Sequence, residues 1–349
     1  MTRIFGLTGH RLPIHPQPLP DELLTHWMVR LAHANGMKVQ TFADRLFGYP
    51  SSFWARDQDK MANLHVIEKL AEVTGKGTDD LMDLTLKPYG EYLYEKHNPN
   101  GNTRWILPLG VYHRTRFHGM QFCPMCLRSE KPYFRKYWRL SFYFECDHHQ
   151  VLMMDSCPQC QAPAMFHRSE LGHRYRKGYP PIVNCYRCGF DLSWAGPTRY
   201  EWADQQAMLL MQSLIFCHFR EQAFMQNRHF ESAQEFFDVL YILCGRIGSA
   251  QVAGELYEWV QQWIRPEGFI PVSRKIKMFE RRTVLERASI LEAAAWLLCD
   301  WPERMVLAVK DLGLKRKHFR PEHGQADTWI LEAMPLPSSY VPFHRKKRN

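Results

Sequence analysis

Apolar residues recur at helical spacing near the start of the chain. In DELLTHWMVRLAHANG, residues 21–36, they return every three or four positions, which predicts an amphipathic helix capped by Asp21 and ended by Asn35-Gly36. Three further helices are predicted in KVQTFADRLFG, NLHVIEKLAEVTG and GTDDLMDLTL, with Thr78 as the N-cap of the last.

The last two of these helices are separated by a short turn that contains glycine. The stretch LHVIEKLAEVTGKGTDDLMDLTL therefore resembles a helix-turn-helix, in which the second helix reads DNA. A plain helical bundle would produce the same apolar pattern. Both interpretations fit the sequence.

The helical pattern returns after Tyr200, in WADQQAMLLMQSLIFCHFREQAF, AQEFFDVLYILCGRIG, AGELYEWVQQWI and RRTVLERASILEAAAWLLCDWP. The last segment is apolar on nearly every side, which predicts a buried helix that Pro302 ends. The predicted fold is mainly α with small zinc-ribbon β elements. Its predicted units are an N-terminal helical, helix-turn-helix-like domain (1–95), a linker (96–122), a tandem zinc-binding module (123–195) and a C-terminal helical domain with a basic tail (196–349).

Composition and charge narrow the class of protein. A content of 45% hydrophobic residues excludes a largely disordered chain, and the sequence has no apolar run of the roughly 20 residues that a membrane span needs. Between Arg104 and Gly189 there are 13 Lys and Arg against five Asp and Glu, whereas the rest of the chain has 32 and 31. This basic segment predicts a polyanionic partner, with a solvated basic face as the alternative.

Cysteines give the strongest chemical signal. Four half-sites follow one another with two residues between the ligands of each: Cys123 and Cys126, Cys146 and His149, Cys157 and Cys160, Cys185 and Cys188. Such a pair puts two donors on one tight turn, within reach of one tetrahedral ion. In a reducing compartment this pattern predicts zinc rather than disulfides.

Pairing neighbouring half-sites gives a three-thiolate-plus-imidazole site at Cys123, Cys126, Cys146 and His149. An all-thiolate site then follows at Cys157, Cys160, Cys185 and Cys188, so two zinc ions per chain are expected. An interleaved pairing also fits the spacing, and His148 competes with His149. Because protein fills all four positions of each site, both are predicted to be structural. The other cysteines, Cys217, Cys244 and Cys299, lie in apolar helical runs and are predicted to be buried free thiols.

Motifs of common enzyme classes are missing from the sequence. It contains no Walker A loop, no Gly-x-Ser-x-Gly, no His-Glu-x-x-His and no strand-linked Gly-x-Gly-x-x-Gly. The acidic residues form no pattern typical of a nuclease. The sequence therefore predicts a protein that is not an enzyme.

The run CPMCLRSEKPYFRKYWRLSFYFECDHHQVLMMDSCPQC, followed by NCYRCGFDLS, resembles the TniQ/TnsD family of transposition target-selection proteins. Upstream, LPDELLTHWMVRLAHANG is similar to the N-terminal helix of that family, although Glu22-Leu23 stands where the family usually has Glu-Ser. The resemblance covers about residues 11 to 195.

The resemblance implies an adaptor that links a target-recognition element to an AAA+ ATPase regulator of the TnsC/TniB type, and so to the transposase. That element would be double-stranded DNA read directly, as in TnsD-like members, or a CRISPR Cascade complex with its guide RNA, where the protein bridges as a homodimer. A bacterial protein of the cytoplasm, at the nucleoid when on DNA, is implied. A zinc-stabilised protein-interaction scaffold is the alternative from another class.

Basic residues between the predicted ligands are the candidate contacts to nucleic acid or a partner: Arg128, Lys131, Arg135, Lys136, Arg139, Arg174, Arg176 and Lys177. Aromatic residues alternate with the first group, at Tyr133, Phe134, Tyr137 and Trp138. They are predicted to form the core of the module rather than to stack on bases.

Overall fold

The computed structural model describes residues 11–61, 63–91, 93–94, 98, 101–109, 111–112, 115–116, 118–170, 181–216, 230, 232–249, 254–315 and 319. Its helices are α1 (Leu24–Ala34), α2 (Val39–Phe47), α3 (Gln58–Met61), α4 (Leu64–Thr74), α5 (Thr78–Met82), α6 (Gln205–Phe216), α7 (Ala233–Ile247), α8 (Gly254–Ile264), α9 (Val284–Cys299) and α10 (Glu303–Leu312). The antiparallel strands β1 (Val111–Tyr112) and β2 (Thr115–Arg116) pair Val111 with Arg116. The predicted mainly helical fold class is confirmed.

Helix α1 forms because its apolar positions face the core, where Trp27 and Leu31 are fully buried. The predicted cap by Asp21 is wrong: the N-cap is Leu23, which makes no side-chain cap bond. Asp21 instead has a left-handed backbone (φ 54°), and its carbonyl accepts a hydrogen bond from the backbone N–H of Lys136. The entrance to α1 is therefore fixed by contact with the cysteine-rich segment.

Helices α4 and α5 enclose the turn of the predicted helix-turn-helix. Asn63 caps α4 by accepting from the His65 N–H, and Gly75 ends it in the left-handed region. The N-cap of α5 is Gly77, so the predicted cap at Thr78 is wrong by one position. Helix α5 has five residues and exposes Asp79 in its first turn, where a carboxylate would repel phosphate. DNA reading by this pair stays a prediction.

Helix α9 is the centre of the C-terminal part and packs against α6, α7, α8 and α10. Thr283 and Glu286 close a capping box at its start. Its predicted burial on nearly all sides is confirmed, down to the charged Glu292 at 0% exposure. That carboxylate accepts from Tyr200 and Arg265, so its burial is compensated by hydrogen bonds.

The segment predicted as a linker contributes to the core. Trp105 is fully buried, and its ring meets Phe142 of the cysteine-rich segment and Phe237 of α7 edge-on. Its backbone N–H donates to Glu280 at 2.9 Å. The described part of residues 96–122 thus joins the cysteine-rich and C-terminal parts instead of separating them, a role that its Asn, Pro and Gly content conceals.

Candidate metal centres and the surface around them

The first cluster brings together Cys123, Cys126, Cys146 and His149, whose ligand atoms all lie within 4.8 Å of one another. The Nδ1 atom of His149 is 3.6, 3.3 and 3.5 Å from the sulfurs of Cys123, Cys126 and Cys146. Ligands about 2.0–2.3 Å from a tetrahedral Zn²⁺ would be about 3.5–3.8 Å apart. The spacing therefore fits one zinc ion.

The second cluster brings together Cys157, Cys160, Cys185 and Cys188. The sulfurs of Cys157 and Cys188 are 3.6 Å apart, as are those of Cys160 and Cys185. A disulfide needs about 2.05 Å, and each of these cysteines is free. Both clusters follow the sequential pairing, and the interleaved alternative is not observed.

His148 does not join the first cluster. Its side chain is exposed, and its Nδ1 lies 2.6 Å from the Asp147 carboxylate. That carboxylate also accepts from the Tyr143 hydroxyl at 2.6 Å. The geometry therefore selects His149 as the fourth donor, in agreement with its spacing.

The four half-sites share one backbone hydrogen bond. In each, the N–H of the residue four positions after the first cysteine bonds back to that cysteine's carbonyl. In the last three half-sites this residue is left-handed: Gln150, Gln161 and Gly189 have φ of 51°, 58° and 78°. Glycine adopts such a backbone without strain, whereas glutamine does not.

Proton sharing among the thiols shows what a cation would do at the first cluster. Hydrogen bonds from Cys126 and Cys146 lower the pKa of Cys123 to about 4, while the bond to Cys123 raises the pKa of Cys126. Three crowded sulfurs cannot all be thiolates without a balancing charge. A divalent cation supplies that charge and displaces the protons.

The two clusters differ in their exposure to solvent. Cys123 and Cys146 have no exposed surface, whereas Cys160 is half-buried and Cys188 is exposed. The clusters are also connected: the Arg128 Nε–H donates to the Ser193 carbonyl at 2.7 Å, just beyond the second site.

The remaining cysteines belong to neither cluster. Cys244 is buried and Cys299 is half-buried, and Cys217 lies outside the described residues.

Arg139 is not a surface contact. It has no exposed surface and pairs with Asp57 and Asp59, at 2.6 and 3.5 Å. It also donates to the Leu107 carbonyl at 2.7 Å. The predicted contact of Arg139 with nucleic acid is therefore wrong, because two carboxylates and a carbonyl of the core already bind its guanidinium.

The other predicted basic contacts differ in availability. Arg135 is half-buried, with its guanidinium 4.4 Å from the centre of the Tyr133 ring. Lys136 is half-buried and donates to the Asp83 carbonyl. Arg128 and Lys131 are exposed, and no bond of the Lys131 side chain is found among the described residues. Outside the described residues lie Arg174, Arg176 and Lys177.

The predicted core role of the interleaved aromatics is confirmed for Phe134, Tyr137 and Trp138, all of them buried. Sequence reasoning missed Trp194, which is 78% exposed beside Arg128. The available signal was its place in DLSW, shortly after the last pair of ligands.

None of the described helices is long and apolar enough to cross a membrane.

Comparison with protein families gives a match to the first half of the chain. Residues 13–153 match the family model described as TniQ. This range contains α1 to α5 and the whole of the first cluster, and it ends four residues before Cys157. No curated protein matches the chain significantly.

Proposed function

We propose, on the premise that the chain belongs to the TniQ family through its residues 13–153, that it is a non-enzymatic adaptor in transposition. The TniQ domain marks a transposition-associated DNA-targeting protein. In this proposal it connects a target-recognition element to an AAA+ ATPase regulator, which in turn recruits the transposase.

The family match is the observation that carries the proposal, and the contacts within the matched range support it. Arg139, between the first pair of ligands and the second, is ion-paired to Asp57 ahead of α3. Asp59 of α3 accepts from the Thr25 hydroxyl of α1 at 2.6 Å. The helical part and the first metal loop therefore form one body, suited to presenting a fixed surface to a partner.

The chemistry of the clusters supports an adaptor rather than a hydrolase. Each cluster offers four protein donors, which leaves a tetrahedral ion without an open position for water or substrate. Zinc at these sites would hold the loops in place, and the residues between the ligands would make the contacts. Fixing a loop in this way lowers the entropic cost of binding.

Two modes of target recognition are distinguished by experiment. An AAA+ regulator whose gene neighbours the gene of this protein is immobilised. Retention of the purified protein on the regulator is then measured with and without target DNA. The adaptor function predicts retention of the protein and loss of targeted insertion when its gene is deleted. Protection of a discrete duplex site by the protein alone would favour direct TnsD-like reading, whereas dependence on Cascade with guide RNA would favour a CRISPR-linked bridge.

A scaffold without a role in transposition gives a different result. The protein would then bind neither the regulator nor DNA, and deletion of its gene would leave insertion frequency and target choice unchanged. That outcome would overturn the proposed function.

A further inference from the structure

Trp194 is the feature of the metal-binding region that the proposed function does not use. Its side chain is 78% exposed, although its neighbours Ser193 and Ala195 are buried at 8% and 1%. Tryptophan usually buries most of its large apolar surface. No ring stacking and no hydrogen bond of the indole is found among the described residues.

The loop that carries Trp194 is fixed on both sides. The Asp191 carboxylate accepts from the Ser193 N–H at 2.9 Å and from its hydroxyl at 2.7 Å. Arg128 donates to the carbonyls of Ser193 and Ala195, at 2.7 and 3.4 Å. The indole is thus held outward on an ordered turn, and little backbone entropy would be lost when it binds a partner.

Two exposed arginines lie near the second cluster. The Arg128 Nε–H donates to the Ser193 carbonyl at 2.7 Å, and the Arg187 Nη1 group donates to the Cys160 carbonyl at 3.5 Å, while the Asp191 carboxylate is occupied by its bonds to Ser193. An all-thiolate cluster with zinc carries two negative charges, which these two guanidinium groups balance. The Nη1 group of Arg128 makes no hydrogen bond with the described residues.

We infer that Trp194 and Arg128 together bind an unpaired nucleotide of a nucleic acid. The indole would stack on the exposed face of the base, and the guanidinium would donate to the adjacent phosphate. This inference rests on the proposed function, which gives the reason for nucleic acid to be near this surface. It adds the class of ligand and the two side chains that select it.

Stacking is the argument for an unpaired base rather than a duplex. Inside a duplex both faces of each base are covered by neighbouring bases, so a protruding indole could stack only if a base were removed from the stack. In a single strand or a loop the faces are free, and tryptophan stacks on any base type. The expected contact therefore depends little on sequence and strongly on strandedness.

The test uses the full chain loaded with zinc. Fluorescence anisotropy measures its affinity for a labelled oligothymidylate and for a duplex of the same length, at one fixed salt concentration. Trp194→Ala should weaken single-strand binding by roughly 5- to 150-fold and leave duplex binding unchanged. Trp194→Phe should retain most of the affinity, because it keeps an aromatic face.

Trp263→Ala is the matched control, since Trp263 is also exposed, at 58%, but lies on α8 and not on the loop that follows the second cluster. The Trp263→Ala protein should bind the single strand with the affinity of the wild type. Zinc content and thermal midpoint are compared for every variant. Equal binding by the wild type and Trp194→Ala, or an equal loss on duplex and single strand, would overturn the inference. So would competition by an acidic peptide that depends on Trp194, which would identify a protein partner. Failure to bind the ATPase regulator would overturn only the proposed function.

Discussion

The Nη2 atom of Arg139 lies 2.6 Å from the Oδ2 atom of Asp57, and both join segments far apart in the sequence. Arg139 has no exposed surface and also faces Asp59, whose pKa burial raises to about 6 despite the arginine. The pair connects the first metal loop to the start of α3. Loss of this ion pair would therefore destabilise both the first metal loop and α3.

Arg139→Ala should lower the free energy of unfolding by about 3–5 kcal/mol, because it leaves the buried Asp59 carboxylate without a balancing positive charge. The loss should shrink at mildly acidic pH, where Asp59 can take up a proton. Urea denaturation at neutral and acidic pH measures both effects. Lys131→Ala is the control, since an exposed side chain should change stability by less than about 0.5 kcal/mol; equal values for the two variants would contradict the structural role.

Chelation should release the metal in two steps. The second cluster should lose its ion first, because Cys188 is exposed and Cys160 half-buried, whereas Cys123 and Cys146 are fully buried. A zinc-binding dye that is added in excess and serves as the chelator should show a fast and a slow phase of equal amplitude. Cys188→Ser should remove the fast phase, whereas the control Cys299→Ser should keep both phases. A single phase in the wild type would argue against independent sites.

Two of the left-handed positions that follow half-sites, Gly189 and Gln161, should respond in opposite ways to substitution. Gly189 has φ 78° and free space where a Cβ would be added, so Gly189→Ala should cost about 1–2 kcal/mol through backbone strain alone. Gln161→Gly should be neutral or stabilise by less than about 1 kcal/mol, because relief of strain opposes the greater freedom of the unfolded chain. Thermal unfolding reports both.

Gly196→Ala provides the control for this pair. Gly196 also has free space around its Cβ position, but its φ is not in the left-handed region. Its substitution should leave the thermal midpoint unchanged or slightly raised. A loss as large as that of Gly189→Ala would show that strain is not the cause.

His167 should make stability depend on acidity. Burial lowers the pKa of its imidazole from 6.5 to about 3, so the unfolded chain takes up this proton at a higher pH than the folded protein does. Above about 6.5 the two states are equally neutral. As pH falls from about 6.5 to about 3, the free energy of unfolding should drop by up to about 1.4 kcal/mol per pH unit from this group alone.

His167→Phe should remove that part of the slope while keeping a ring against Trp54, whose centre lies 5.1 Å away. His65→Ala, at an exposed position, should leave the slope intact. Urea denaturation of the three proteins over a pH series gives the comparison. Parallel curves for His167→Phe and the wild type would show that His167 titrates in the folded protein as it does in the unfolded one.

Sequence patterns predicted those features that depend on neighbours in the chain. The helical segments and the two ligand groups follow from spacing, because a helix turn and a two-residue gap are local geometry. Even the choice of His149 over His148 followed from a gap of two residues. The caps were less predictable: Asp21 and Thr78 have the right residue types, but a contact from Lys136 and a start one residue earlier displaced them.

Long-range pairing could not be predicted from the pattern. Arg139 is one of several basic residues in a run, and only its carboxylate partners Asp57 and Asp59, 82 and 80 positions away, remove it from the surface. Trp105 lies among residues typical of loops, yet it is central because α7 and the cysteine-rich segment meet there. Such placements depend on which segments meet in three dimensions, which periodicity does not encode.

The burial of arginine also changes what an ionic-strength titration can count. Binding to a duplex releases roughly one counterion for each phosphate neutralised. Arg139, Arg282 and Arg287 are 0%, 1% and 0% exposed and already held by internal acceptors. None of the three would contribute to the logarithmic slope, so the formal charge of +9 does not predict how many phosphates the protein can cover.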